Sequence, residues 1–381
     1  MLFYCDWAPA HLRPAPTSKQ YLYIGKASMR IVVISGLSDD KLRSKILPIT
    51  QLEDVETLYL IRRKPLDMPK VVTYVPPPIF LRFLPFAEVY RFLTVLYLSL
   101  FKKPDFILGI YFIPHGIYAS IAGLITGKRV IQALIGSDFP RVVNSRIWMA
   151  LLKKASHIAV RGNNSKNTLI SKGIAPDIIF IPPNVLDLSA FKPADIGSEA
   201  VKKYDLVCVG NLIPSKRVDL LVEIVSHVRQ TLPNLRVAVV GDGPERDKII
   251  NLVAEHQLHE VVDMLGYCTQ PEIVRCLQQS RAFIMTTELE GLPMAMIEAI
   301  SCGLPVIMPD INDVTDVAKH GENAWIVNPP TVENYVQAVL KILTDEAVYK
   351  RLAQGALDYR HKFARDFTAE NVAKIWRNVL A

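Results

Sequence analysis

At 381 residues, half of them hydrophobic, the chain exceeds one comfortable core and has apolar material for two, so two domains are the default. Five scattered cysteines, Cys5, Cys208, Cys268, Cys276 and Cys302, form no C-x-x-C pair and no His/Cys cluster at zinc spacing, which argues against a disulfide scaffold and against a metal site and fits a reducing compartment. The net charge of +7 is uneven: residues 29 to 200 hold 22 Lys and Arg against 13 Asp and Glu, and residues 201 to 381 hold 19 against 23. A basic first half asks for an anionic partner. With no zinc finger, RNP aromatic motif or helix-turn-helix pattern, a membrane surface ranks above nucleic acid, and solubility alone is the plain alternative.

Residues 1 to 28 carry three prolines and no basic stretch followed by an apolar run, so they do not read as a signal peptide. Either Met29 is the natural start or what precedes it is a loose extension. Residues 29–36 read as a buried strand ending at Gly36, and 58–61 and 70–75 as further strands. Segment 80–103, if helical, is apolar on nearly every face, with Arg82, Arg91, Lys102 and Lys103 against Glu88. Aromatics mixed with basic residues suit an interfacial helix; the place in an α/β domain suits a helix buried between the sheet and its neighbours, the preferred reading.

Residues 106–126 hold no Asp, Glu, Lys or Arg, a length that suggests a membrane span. Pro114-His115-Gly116 interrupts it, giving a buried strand at 106–112, a turn, and a helix at 117–126 closed by Gly127. His115 then lies beyond a strand's carboxyl end, where open α/β sheets place ligands. The strand at 129–135 repeats the pattern and puts Asp138 in the equivalent place, with turn capping as the alternative. Strands at 158–160 and within 177–187 complete this half.

The second half opens with a strand at 204–210 ending in Gly210, a loop at 211–215, and an amphipathic helix from Lys216 through Leu220, Leu221, Ile224, Val225 and Val228. Lys216 and Arg217 at a helix start oppose its dipole, so a local anion would compensate. Gly241 and Gly243 form a tight turn after a strand, but Arg246 stands where a dinucleotide fingerprint has its third glycine. Further strands are expected at 261–267 and 282–286.

The stretch that follows carries the chemistry. Pro293 pre-sets helical φ, Gly303 suits a left-handed residue that ends a helix, and Pro305 blocks resumption. Gly291, Leu292, Pro293 and Met294 therefore lead into a helix N-terminus, a site for a phosphate. Glu298 lies roughly 7 Å along the axis at about 1.5 Å per residue, and Glu290 sits just before the helix. Carboxylates beside a phosphate are unfavourable unless they grip hydroxyls. A ribose diol on Glu298 and a second sugar on Glu290, with a diphosphate between them, describe a sugar nucleotide; the plain alternative is an ordinary surface helix. Helices at 331–343 and 345–361 and a terminal helix in 363–381 complete the chain.

The Glu-x7-Glu pair inside E-G-L-P-x-x-x-x-E-A-x-x-x-G-x-P-V, with Gly-Asn-Leu-x-x-x-Lys and Gly-Asp-Gly-Pro-Glu upstream, resembles the signature of glycosyltransferase family 4 over roughly residues 29 to 381. The resemblance implies an α/β GT-B fold, two Rossmann-like α/β/α domains facing across a cleft. They would span 29–190 for the acceptor and 201–360 for the nucleotide sugar, with an extension at 1–28, a linker at 191–200, and a helix in 361–381 crossing back. It implies a retaining transferase that uses a nucleotide-diphosphate sugar as substrate, with no cofactor, no metal and no covalent enzyme intermediate. By matching position, Lys216 would meet the diphosphate alongside Gly210, Asn211, Gly241 and Gly243, the loop at Tyr267 and Cys268 would hold the base, and Glu290 would orient the sugar. Asp138, with His115 second, would act on the incoming hydroxyl. Three departures stand out: Ile135 replaces a histidine, Asn211 an arginine for which Arg217 could substitute, and Val185 a glycine.

The expected acceptor is a saccharide or lipid-linked molecule of cell-envelope polysaccharide or glycolipid synthesis, not nucleic acid. The expected location is cytoplasmic, or peripheral on the inner face of the cell membrane. Rivals are a nucleotide-sugar 2-epimerase-like isomerase on the same fold and a catalytically silent, nucleotide-binding protein of the membrane surface, with a dehydrogenase last.

Overall fold

The computed structural model describes residues 28–82, 84–135, 138–194, 202–311 and 313–381. Nearly all of the N-terminal extension, Gly136 and Ser137 of the Gly-Ser-Asp motif, and most of the linker lie outside the described residues.

Seven apolar runs build the first sheet: β1 (Met29–Ile34), β2 (Val55–Ile61), β3 (Val71–Tyr74), β4 (Phe106–Ile110), β5 (Arg129–Leu134), β6 (His157–Val160) and β7 (Ile179–Phe180). They lie in the order β3-β2-β1-β4-β5-β6-β7, every pair parallel. Parallel strands need covered faces, and α1 (Asp39–Thr50), α2 (Pro78–Leu81), α3 (Leu84–Phe101), α4 (Ile117–Thr126), α5 (Phe139–Val143), α6 (Arg146–Leu152) and α7 (Asn163–Ser171) make the connections. The strand expected within 177–187 is only β7, because Pro176–Ile178 turn tightly before it and two prolines follow at 182 and 183.

The second sheet runs β10-β9-β8-β11-β12-β13, again parallel, from β8 (Tyr204–Val209), β9 (Val237–Val240), β10 (Val262–Gly266), β11 (Ser280–Ile284), β12 (Val306–Pro309) and β13 (Ala324–Val327). Its helices are α8 (Val218–Thr231), α9 (Arg246–Glu255), α10 (Gln270–Gln278), α11 (Met294–Ser301), α12 (Val332–Thr344) and α13 (Glu346–Asp366). The helix expected from Lys216 begins two residues later. Pro214–Lys216 form one tight turn and Arg217 takes a left-handed φ of 50°, so both cations precede α8.

The last helix, α14 (Ala369–Leu380), leaves the second domain and packs on α1. Val372, Ala373, Trp376, Val379 and Leu380 are buried in one cluster with Ile31, Leu42, Ile46 and Ile49 of the first domain. On the opposite face, α3 corrects the preferred reading of an enclosed helix. One side is buried through Ala87, Arg91, Thr94, Val95 and Leu98. The other presents Phe86, Val89, Leu93, Tyr97 and Leu100, each more than half exposed, and Ile79 on α2 and Leu124 and Ile125 on α4 are exposed as well. The inward side holds the charge: Arg91 is 1% exposed, donates to the Ser35 carbonyl at 2.8 Å and pairs with Glu88 at 2.9 Å.

Candidate active site in the interdomain cleft

Each sheet reverses its strand order once, between β1 and β4 and between β8 and β11, and ligands of open α/β sheets lie outside the carboxyl ends at such points. In the second domain, side chains tie the two relevant loops together. Thr286 Oγ1 donates to the Arg217 carbonyl at 2.7 Å, Thr287 Oγ1 to the Ser215 carbonyl at 2.9 Å, and the Glu288 amide to the same Ser215 oxygen at 2.9 Å. This strapping brings Lys216 Nζ onto Glu290 Oε1 as an ion pair, with the side chains 17% and 23% exposed. Burial and, to a smaller extent, the Lys41 ammonium across the cleft disfavour the charge on Lys216 and lower its pKa.

Gly241 and Gly243 serve the same loop by their lack of a side chain. A Cβ on Gly241 (φ 142°) would lie 1.9 Å from the Gly210 carbonyl oxygen, and one on Gly243 (φ 159°) 2.4 Å from that of Leu212. The β9 turn can thus press directly on the loop that carries Asn211 to Lys216. Arg217 is already engaged: its guanidinium pairs with Glu288 and, at 3.2 Å, with Asp219. The charge expected from it in place of the arginine absent at Asn211 is therefore held by two carboxylates. Tyr267 stands 81% exposed after β10, and Cys268 beside it is half-buried.

Helix α11 has the marked ends read from the sequence, with Pro293 extended before Met294 and Gly303 at φ 80° after the last turn. Glu298 is its fifth residue. Burial pushes its carboxyl up to about 7. No hydrogen-bond donor reaches it among the described residues.

In the first domain, His115 is buried with Nδ1 3.0 Å from the Ile110 carbonyl, so that nitrogen donates and Nε2 carries the lone pair. The ring lies against Gly36, where a Cβ would be 2.8 Å from its Cε1. Burial, helped by the nearby Arg91, lowers its pKa to about 4, and the imidazole is neutral at physiological pH. Asp138 holds a turn, the alternative to a part in acting on a hydroxyl. Its Oδ2 accepts from the amides of Phe112 at 2.5 Å and Ile113 at 3.2 Å, holding the turn that ends at His115, and Oδ1 is buried without a partner among the described residues. Burial raises its pKa.

Two cations that sequence reasoning missed also face the cleft. Arg161 follows β6 directly, donates from Nε to the Ile135 carbonyl at 2.7 Å and from a terminal nitrogen to Asn184 Oδ1 at 3.3 Å. Its stem runs along Gly291, where a Cβ would lie 3.2 Å from Arg161 Cγ. Lys45 of α1 donates to the same Asn184 oxygen, and the Asn184 amide reaches Met294 Sδ at 3.1 Å. The strand-end rule that flagged His115 also singles out Arg161. Lys45 lies on a helix that gave no sequence signal.

A last contact joins the domains beside this site. Asp313 accepts from the Ser165 amide at 2.9 Å and its hydroxyl at 2.6 Å, and Asp316 accepts from the Asn163 amide at 2.6 Å. Two carboxylates of the second domain thus cap α7 of the first, at the end where helices favour anions.

Residues 193–358, nearly the whole second sheet with its helices, match the family model of glycosyl transferases group 1. The second domain is thus similar to that family. Proteins similar to this chain include a component of the phosphatidylinositol N-acetylglucosaminyltransferase of Arabidopsis thaliana, 28% identical over 53% of this chain and 44% of that protein. Its counterpart in Homo sapiens is 27% identical over 64% of this chain and 48% of that protein. The chain spans about half the length of these curated relatives. Among solved structures, Anabaena Alr3699/HepE in complex with UDP superposes with a TM-score of 0.74 at 15% identity, covering 93% of this chain and 99% of that one. The fold is GT-B, as the sequence resemblance implied.

Proposed function

We propose that the protein is a retaining glycosyltransferase that moves a sugar from a nucleoside diphosphate to an acceptor held on the basic first domain. The observation that carries this reading is Glu298, a half-buried carboxyl with no donor among the described residues, placed five residues into a helix whose first amides open beside the Lys216–Glu290 pair. A vicinal diol supplies the two donors that such a group needs. The diphosphate then falls at the amides of residues 291–294 and at Lys216, where preorganised positive charge stabilises the leaving group without a metal or a cofactor. When phosphate oxygens reach Lys216, its bond to Glu290 is exchanged, and Glu290 becomes available to the hydroxyls of the donor sugar. His115, neutral with a lone pair on Nε2, accepts from a sugar hydroxyl, and Asp138 fixes the turn that presents it.

The exposed apolar stripe of α3 supports a location on a membrane surface. Five large side chains on one face, with Arg82 and Lys103 exposed at the two ends of α3, suit insertion at the headgroup boundary of an anionic bilayer. Replacing Phe86 and Leu93 by Asp lowers flotation with anionic vesicles several-fold while leaving thermal stability within about 1 kcal/mol, since both are exposed. Relatives named for phosphatidylinositol and a structural neighbour holding UDP make a lipid headgroup and uridine donors the first choices to test. The deciding experiment screens radiolabelled uridine, guanosine and adenosine diphosphate sugars for protein-dependent hydrolysis, transfer to membrane lipids and a rise in melting temperature. If none binds or turns over, the reading fails.

A further inference from the structure

Lys45 and Arg161 come from separate elements of the first domain and converge on one neutral oxygen, Asn184 Oδ1. No carboxylate pairs with either among the described residues. Asp313 acts on Arg161 only from a distance, with both of its oxygens occupied by Ser165. Two enclosed cations sharing one uncharged acceptor are an unfavourable arrangement, stable only while packing holds them together. Burial and repulsion from Arg161 hold the Lys45 ammonium well below the usual lysine range.

Arg161 and the shared Asn184 lie against the second domain. Arg161 lies along Gly291 and the Asn184 amide touches Met294, the two residues that bound the amides at the start of α11. One turn before Lys45 on α1, Lys41 is near enough to Lys216 to act on its charge. First-domain cations therefore approach the same helix start as Lys216, from the opposite wall of the cleft.

We propose that Lys45 and Arg161 form the first domain's half of an anion site for the distal phosphate of the nucleoside diphosphate, which is gripped from both walls. This rests on the function proposed above. A phosphate oxygen supplies the charged acceptor that Asn184 does not, and a bidentate Arg161 contact fixes its orientation. The grip also couples donor binding to domain closure, because the two halves of the site belong to different domains.

The test is calorimetry on the full chain with UDP, GDP and ADP and their monophosphates, comparing Lys45→Met, Arg161→Gln and the conservative Arg161→Lys. Each of the first two lowers affinity for the diphosphate roughly tenfold or more and for the monophosphate little, as loss of one charged hydrogen bond implies. Arg161→Lys recovers part of the loss, which a folding defect would not allow. Unchanged diphosphate affinity in Lys45→Met and Arg161→Gln overturns the inference, while a loss in Lys216→Ala in the same experiment leaves the proposed function standing. Unchanged diphosphate affinity with impaired transfer only to a phosphorylated acceptor assigns the cations to that acceptor and likewise overturns it. Absence of nucleotide binding by the unsubstituted chain removes the functional reading itself.

Discussion

Replacing Glu298 by Gln separates the stability of the site from its use. In the folded chain the carboxyl keeps its proton up to about 7, against an ordinary value of 4.5. Because the folded pKa is raised, the unfolded chain loses this proton first as pH rises. The fold is therefore penalised progressively between about pH 4.5 and 7, and by a constant amount above. At 1.36 kcal/mol per pKa unit the full penalty is about 3 kcal/mol, and solvent contact of a half-buried group reduces it to roughly 1–3 kcal/mol. Glu298→Gln removes the penalty, so it stabilises the ligand-free protein by that amount at pH 8 and by nothing near pH 4.5. On the function proposed above, donor binding moves the opposite way. A diol bonds best to the carboxylate, so binding to the unsubstituted protein expels the proton, and affinity falls as pH drops below about 7, approaching tenfold per unit. In the Gln variant the affinity at pH 8 is about 10- to 100-fold lower, and its dependence on pH through this range is flat. Urea unfolding at both pH values and calorimetry with a nucleoside diphosphate measure the two effects. A Gln variant less stable than the parent at pH 8, or parental binding indifferent to pH between 6 and 8, would refute the reasoning.

Other substitutions probe the remaining parts. On the same proposal Lys216→Ala lowers kcat by about 10²–10³ with a smaller change in KM, since its charge would be needed most on the departing diphosphate; steady-state kinetics read this directly. Gly243→Ala forces a Cβ to within 2.4 Å of the Leu212 carbonyl, and it lowers stability by more than about 2 kcal/mol, measured by thermal unfolding. Asp313→Ala strips the Ser165 amide and hydroxyl of their acceptor across the domain boundary; kcat and KM change together, with unfolding of the second domain unaltered in its midpoint.

The strands of both sheets were legible wherever an apolar run ended in a turn residue, as at Met29–Ile34, Phe106–Ile110 and Tyr204–Val209. Buried parallel strands write that pattern plainly. Helix α1 gave no signal, because Pro48 falls inside it and charged residues fill its first turns. β13 follows a turn and is only four residues long, Ala324–Val327, too short to separate from a loop by pattern. Within the candidate site, Lys216, Glu290 and Glu298 are readable as candidates because each belongs to a local motif near a glycine or proline. Lys45, Arg161 and Asn184 were not, because what joins them is the meeting of α1, β6 and the segment after β7, which local spacing does not encode. Arg217 shows the converse. A charge in the right place on the sequence becomes a structural strut once the left-handed turn directs it to Asp219 and Glu288.

The crossing of α14 back to the first domain bears on how the molecule is made. Trp376 and Leu380 help close the cluster that β1 and α1 begin, and the Trp376 ring meets Phe180 edge-on with centroids 5.1 Å apart. These groups leave the ribosome roughly 190 residues after β7, which at 5–20 residues per second is a wait of about ten to forty seconds. Meanwhile the later sheet, whose cluster extends to Phe367, has all of its own side chains in hand. The half that is synthesised first is thus sealed last, when α14 covers the flank of α1.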